Sequence, residues 1–286
     1  MKKKILRSLC LGLILGAGNA SAAVIDVLWY GGNSFYNTLP TTLASNAGDY
    51  DPNNDGSLDW NVDIWEFGEV TPDFSLYDVF IIPSWLSGMD PNRLLDAKTA
   101  ITDARGSRTF LSGQDADYHY LNGPGAIDNG PRGFFINAVN WAASGTGLGI
   151  VALADGWAGT GSTWMNNVNS FLYDELNGHL SYFQEEQVNI LPGQENFPVN
   201  EGLTSAGLSN WGTSSHMGFS VLTPGYEMIN AAGGNSQYAV TLVTEGQADG
   251  GTDGGGTATI PEPASLAMLT LGLFGLGFTR KSLRKN

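Results

Sequence analysis

Asp115, Asp117 and His119 fall at alternate positions in the stretch Arg108–Tyr120, RTFLSGQDADYHY. Carboxylates and imidazoles bind divalent cations, orient water and move protons near neutral pH. Spaced two apart, all three turn to one side of any extended backbone. Metal-assisted hydrolysis would need such a cluster, an open coordination position and a base. His216, in Ser214-Ser215-His216, is a candidate base if its segment folds back to the loop. Gln114, Tyr118 and Tyr120 flank the acids and add an amide and two rings able to hold and stack on a sugar. The same acids also have a structural use, in satisfying backbone N–H groups and Arg132. Serine catalysis lacks its G-x-S-x-G elbow, because Ser112 precedes the Gly113 turn instead of standing at its apex.

Two other stretches carry ligand-type residues. In Asp49–Asp59, DYDPNNDGSLD, the residues Asp51, Asn53, Asp55 and Gly56 match the start of a calcium loop, with Asp59 in a later place. The twelfth position is Val62 where a bidentate acid belongs, so an Asx-rich turn stands beside calcium as a reading. Gly31-Gly32-Asn33 follows the first strand, where backbone N–H groups could meet a ligand. No G-x-G-x-x-G accompanies them, and a plain turn is the alternative.

The elements that must position these residues read as an alternation of apolar runs and helical patterns. Val24–Tyr30, Asn61–Phe67, Tyr77–Pro83, Thr109–Leu111 and Leu148–Leu153 are strands, several of them continuous enough for the middle of a parallel sheet. Helices are expected over Phe35–Ala47, from Pro91 to Gly106, over Arg132–Ala143 and over Trp164–Leu176. Val188–Leu191 and Ala239–Thr244 are late strands. The alternation predicts an α/β fold, a flavodoxin-like doubly wound and mostly parallel sheet in a single domain, residues 24–245. In such sheets ligands sit beyond the carboxyl ends of the strands, which is where the Asp115 loop begins.

The Gly turn after the first strand, YDVFIIP, and a strand ending in Gly113-Gln114-Asp115 before FFINAVNWAASG together resemble the class I glutamine amidotransferase-like fold, its ThuA-like branch in particular. The resemblance implies an elbow at Gly113–Asp117, where those enzymes carry G-x-C-x-G. This stretch has no cysteine, and His216 without a nucleophile cannot attack a glutamine amide, so amidotransferase activity is not expected.

The ends of the chain carry addresses. Residues 1–22 join a basic start (Lys2, Lys3, Lys4, Arg7), an apolar stretch and Ala20-Ser21-Ala22, the pattern of a secretory signal peptide. Cys10 lies inside it, so the mature chain is expected to have no cysteine and no disulfide. Residues 246–260 form a Gly-rich linker. Then follow Pro261-Glu262-Pro263, an apolar membrane helix over 264–278, and a basic tail beginning Arg280-Lys281. This order, covering 261–286, resembles the PEP-CTERM sorting signal. The resemblance implies export through the inner membrane, a transient C-terminal anchor, cleavage by an exosortase-type sorting enzyme, and release to the cell surface or the extracellular space.

The whole chain has a formal net charge of −15, but between these signals 27 acidic residues face five basic ones. Such a surface repels nucleic acid and anionic membranes, which are excluded as partners. The expected partners are signal peptidase, the exosortase-type enzyme and extracellular polysaccharide. The candidate cofactor is calcium or another divalent metal. Two functions remain open: a non-catalytic surface or matrix domain binding matrix or polysaccharide, and a metal-assisted hydrolase of a carbohydrate or related small substrate in the Asp115/Asp117/His119 crevice.

Overall fold

The most apolar runs become strands with both faces covered. β1 (Ile25–Tyr30), β2 (Trp60–Trp65), β3 (Val79–Ile82), β4 (Arg105–Ser112) and β5 (Leu148–Leu153) lie parallel in the order β2-β1-β3-β5-β4. In the computed structural model residues 24–32, 39–41, 60–84, 90–122, 130–154, 163–220, 223, 225–234 and 236–246 are described. The chain divides into Met1–Ala248 and Asp249–Asn286, and the second unit lies outside the described residues. So do the signal peptide, the linker beyond Gly246, the expected helix over 264–278 and Pro261, Glu262, Pro263, Arg280 and Lys281. Among the described residues no helix is long and apolar enough to cross a membrane.

Alternation along the strands divides the core into two layers. Val27, Trp29, Val79, Ile81 and Phe110 face one side and meet Phe134, Phe135, Ala138, Val139 and Trp141 of a helix at Pro131–Ala143. Leu28, Tyr30, Phe80, Ile82 and Leu111 face the other, against Leu94, Ile101, Leu172 and Leu176. The helices behind these contacts are α1 (Asn92–Asp96), α2 (Lys98–Ala104), α3 (Ala116–Leu121), α4 (Pro131–Ala143), α5 (Tyr173–Leu176) and α6 (Ser205–Leu208). Burying each large apolar side chain contributes roughly 1.5–3 kcal/mol, so the sheet is held from both faces. Helix Trp164–Leu176 is replaced by a 3-10 turn at Thr163–Asn166 and the short α5. The side chains of Asn167 and Ser170 accept from the amides of Asn169 and Leu172, and these local bonds divert the backbone from the helical ladder. Of the expected helix Phe35–Ala47, the turn at 39–41 is described and is helical.

The doubly wound, mostly parallel expectation fails in the second half of the sheet. β6 (Leu180–Glu185), β7 (Val188–Ile190), β8 (Ser215–Ser220), β9 (Glu227–Ala232) and β10 (Tyr238–Thr244) all pair antiparallel, giving a ten-stranded mixed sheet. Parallel neighbours need a crossover of a dozen or more residues, whereas only 233–237 separate β9 from β10. The parallel half also departs from the flavodoxin order, because β5 lies between β3 and β4.

β10 joins the two halves. Its residues Thr241–Thr244 pair with β4, Tyr238 and Ala239 pair with β8, and its opposite edge pairs with β9. At the amino end of β4, buried Arg105 makes a two-pronged ion pair with Glu175, and the Tyr226 hydroxyl donates to the same carboxylate. Burial pushes the Tyr226 hydroxyl well above its ordinary pKa, with the Arg105 charge acting against the shift.

Candidate functional site

The site forms where β8 docks on the end of β4. The Gly113 N–H donates to Val240 O at 2.8 Å, and Gly113 O accepts from the His216 amide at 3.0 Å. Only glycine permits this approach, since a Cβ at 113 would lie 1.8 Å from Met217 O. The Ser215 hydroxyl, fully buried, lies 3.0 Å from Gly113 O and 2.8 Å from Met217 O, so its proton serves the strand junction. Ser214 is equally buried and accepts from the Trp211 amide. Neither hydroxyl is placed as a nucleophile.

This junction brings His216 to Asp115. Asp115 Oδ1 lies 3.4 Å from His119 Nε2, and Oδ2 lies 3.9 Å from His216 Nδ1. The three side chains are 5, 9 and 11% exposed, in the order Asp115, His119, His216. Asp115 occupies the N-cap position of α3, yet its carboxylate makes no capping bond to that helix. His119 Nδ1 faces Asn122 O at 3.3 Å, and its ring lies 5.7 Å from the Trp211 ring. A carboxylate set between two imidazoles can hold one in a fixed orientation while the other exchanges a proton.

The expectation that Asp115, Asp117 and His119 share one side is corrected. They start a helix, in which residues four apart share a face and residues two apart do not. Asp117 therefore leaves the histidines, and its Oδ2 accepts from the Ser84 amide, just past β3, at 2.9 Å. Burial raises the Asp117 carboxyl to a pKa of about 6, with the hydroxyl and amide of Ser84 pulling it down. Ser84 escaped the sequence reading, and its only signal was its place just past the strand YDVFIIP. Among the described residues no three His, Cys, Asp or Glu side chains are grouped to hold a metal ion. The calcium-type residues Asp51, Asn53, Asp55 and Asp59 lie outside the described residues.

The flanking residues separate into accessible and structural ones. Tyr118 is 41% exposed and sits edge-on to the His119 ring at 5.1 Å. Tyr120 is buried against Phe135 beneath the Arg132 guanidinium, which removes it from ligand contact. Gln114 is fully buried, its side-chain amide donating to Leu208 O at 3.1 Å and fastening α6. Gly31 and Gly32 are buried too; the Gly31 amide donates to Trp65 O and its carbonyl accepts from Arg93. Trp29, Trp164 and Trp211, rings of a type that stacks on sugars, are core residues at 2, 2 and 1% exposed, and Trp85 and Trp157 lie outside the described residues.

No curated protein and no solved structure matches this chain. Residues 259–281 match the PEP-CTERM protein-sorting motif, which leaves the α/β sheet without a family assignment. The match supports export with a C-terminal sorting signal, processing by an exosortase-type enzyme, and a surface or extracellular location.

Proposed function

We propose that this chain is a surface or extracellular-matrix protein whose α/β domain, amidotransferase-like in its Gly113-Gln114-Asp115 elbow, binds neutral matrix polysaccharide without turning it over. The observation that carries the proposal is Asp115 between His119 and His216, with exposed Tyr118 beside them. Carboxylate, imidazole and phenol are groups that bind sugar hydroxyls and stack on sugar rings. The acidic surface disfavours an anionic polymer, and neither a cysteine nor a serine stands at the apex of the elbow.

A second reading draws on the same geometry. With Asp115 at Nδ1, the His216 ring has the orientation of a general base, and the 3.9 Å gap is one that a substrate could tighten. The role for a carbohydrate hydrolase would then fall to the Asp115–His216 pair, with no requirement for the Asp117 carboxylate.

The test titrates the full chain with a soluble neutral glucan and with alginate, then assays the glucan for new reducing ends. The expected result is saturable glucan binding, at least tenfold weaker in Asp115→Asn, with no reducing ends formed. Reducing ends lost in His216→Ala would establish the hydrolase reading. Absence of glucan binding, or equal binding by Asp115→Asn, refutes the proposed site.

A further inference from the structure

The outer edge of β2 lies across the sheet from β4, the strand that Asp115 follows. Among the described residues β2 ends the sheet and pairs only with β1, in unbroken register over all six residues from Ile25↔Trp60 to Tyr30↔Trp65. In a parallel ladder each residue turns its N–H and C=O to the same side. Because Gly31 donates to Trp65 O and Trp29 is level with Ile64, the groups of Asn61, Asp63 and Trp65 face β1. Those of Val62 and Ile64 point outward and have no hydrogen-bond partner among the described residues. An open edge is normally defended by lysine, proline or a bulge. Between Trp60 and Trp65 there is none of these.

The side chains state what the edge would accept. Asn61 and Asp63 project from one face of β2, and half-buried Val62 and Ile64 from the other. The Tyr77 hydroxyl donates to Asp63 and feels the charges of Asp26 and Glu69 as well, while Asp26 accepts from the side chain of Asn61. The nearby cation, Arg93, is engaged with the carbonyls of Gly31 and Trp65 and stacked on the Trp65 ring. A cleft of about 490 Å3 continues from the strand end, lined by Ile64, Trp65, Gly68, Glu69, Val70 and Tyr77. Val70 in its wall is 86% exposed, and Phe67 and Leu76, adjacent in sequence to the lining residues Gly68 and Tyr77, are 65 and 67% exposed.

We infer that the β2 edge accepts an extended polypeptide segment of alternating basic and apolar residues, added as an eleventh strand. Its backbone would complete the ladder at Val62 and Ile64, as in β-strand addition. Its basic side chains would lie beside Asp63, and its apolar ones beside Val62 and Ile64. A second copy of this chain fits poorly, since pairing β2 with β2 sets acidic faces together with no basic residue from either strand.

The probe is a fluorescein-labelled octapeptide alternating lysine and valine, titrated by anisotropy into the full chain. Comparison peptides are glutamate–valine alternation, four lysines followed by four valines, and the alternating lysine peptide N-methylated on its ladder-forming amides. The alternating lysine peptide is expected to bind saturably and at least tenfold more tightly than each comparison. Val62→Pro deletes an outward donor without touching the β1 ladder, and should weaken binding at least tenfold, as should Asp63→Lys. If Val62→Pro fails to fold by circular dichroism, the N-methylated peptide makes the same deletion from the ligand side. No binding, equal binding of the blocked or N-methylated peptides, or a dimer at high concentration that Asp63→Lys strengthens, overturns the inference.

Discussion

Asp117→Asn should stabilise the folded protein near neutral pH, and the gain should fade in acid. In the fold the carboxyl has a pKa of about 6 against an ordinary 3.8, because it is buried. A carboxyl raised on folding costs nothing below its unfolded pKa and the full difference above its folded pKa. The separation between those values corresponds to about 3 kcal/mol of folding free energy above pH 6. Asparagine removes the charge and keeps an oxygen for the Ser84 amide. Its new N–H2 group replaces Oδ1, a buried atom without a partner among the described residues, and leaving it unbonded costs about 1–3 kcal/mol at any pH, which holds the net gain near neutral pH to about 2 kcal/mol at most. The pH-dependent part is free of that offset. Between pH 4.5 and 7.5 the stability difference between Asp117→Asn and the parent should move by about 2 kcal/mol in favour of the variant. Urea titrations at the two pH values, followed by tryptophan fluorescence, measure it. A difference that stays constant with pH, or moves the other way, would refute an ionised carboxylate buried at neutral pH.

Three further outcomes are expected. Gly113→Ala drives a methyl into Met217 O, so it should destabilise by several kcal/mol in urea titration and abolish glucan binding by moving His216 off Asp115. Arg105→Met alone, by stranding buried Glu175, should cost about 3–5 kcal/mol, whereas the double change with Glu175→Leu should recover most of the loss in a double-mutant cycle. If Asp51–Asp59 binds calcium, EDTA should lower the melting temperature of the full chain and millimolar calcium should restore it, with Asp55→Ala abolishing both responses.

The parallel half of the fold could be read from sequence because its signals are local. Leu148–Leu153 and Arg132–Ala143 stand within a residue of where apolar pattern and Gly/Pro punctuation put them. β4 begins four residues earlier than expected, because Arg105, a poor strand residue by itself, is neutralised by Glu175 some 70 positions away. β6, β8 and β9 were not found. In β8, SHMGFS is weakly apolar and contains Gly218, whose missing side chain makes room for the Phe183 ring, again a distant partner. The site divides in the same way. Gly113, Asp115, His119 and His216 were identifiable by residue type, and Asp115 does bridge the two histidines. The placement of Asp117 was not, because it depended on whether 115–121 is extended or helical, and α3 turns that side chain towards Ser84.

The position of β10 has a mechanical consequence. The last strand before the tail is interior, hydrogen-bonded to β4, β8 and β9. A pull applied through residues beyond Thr244 therefore loads three ladders together, where an outermost strand would peel open one bond at a time. A protein tethered through its tail would resist drag by the same strand that completes its sheet.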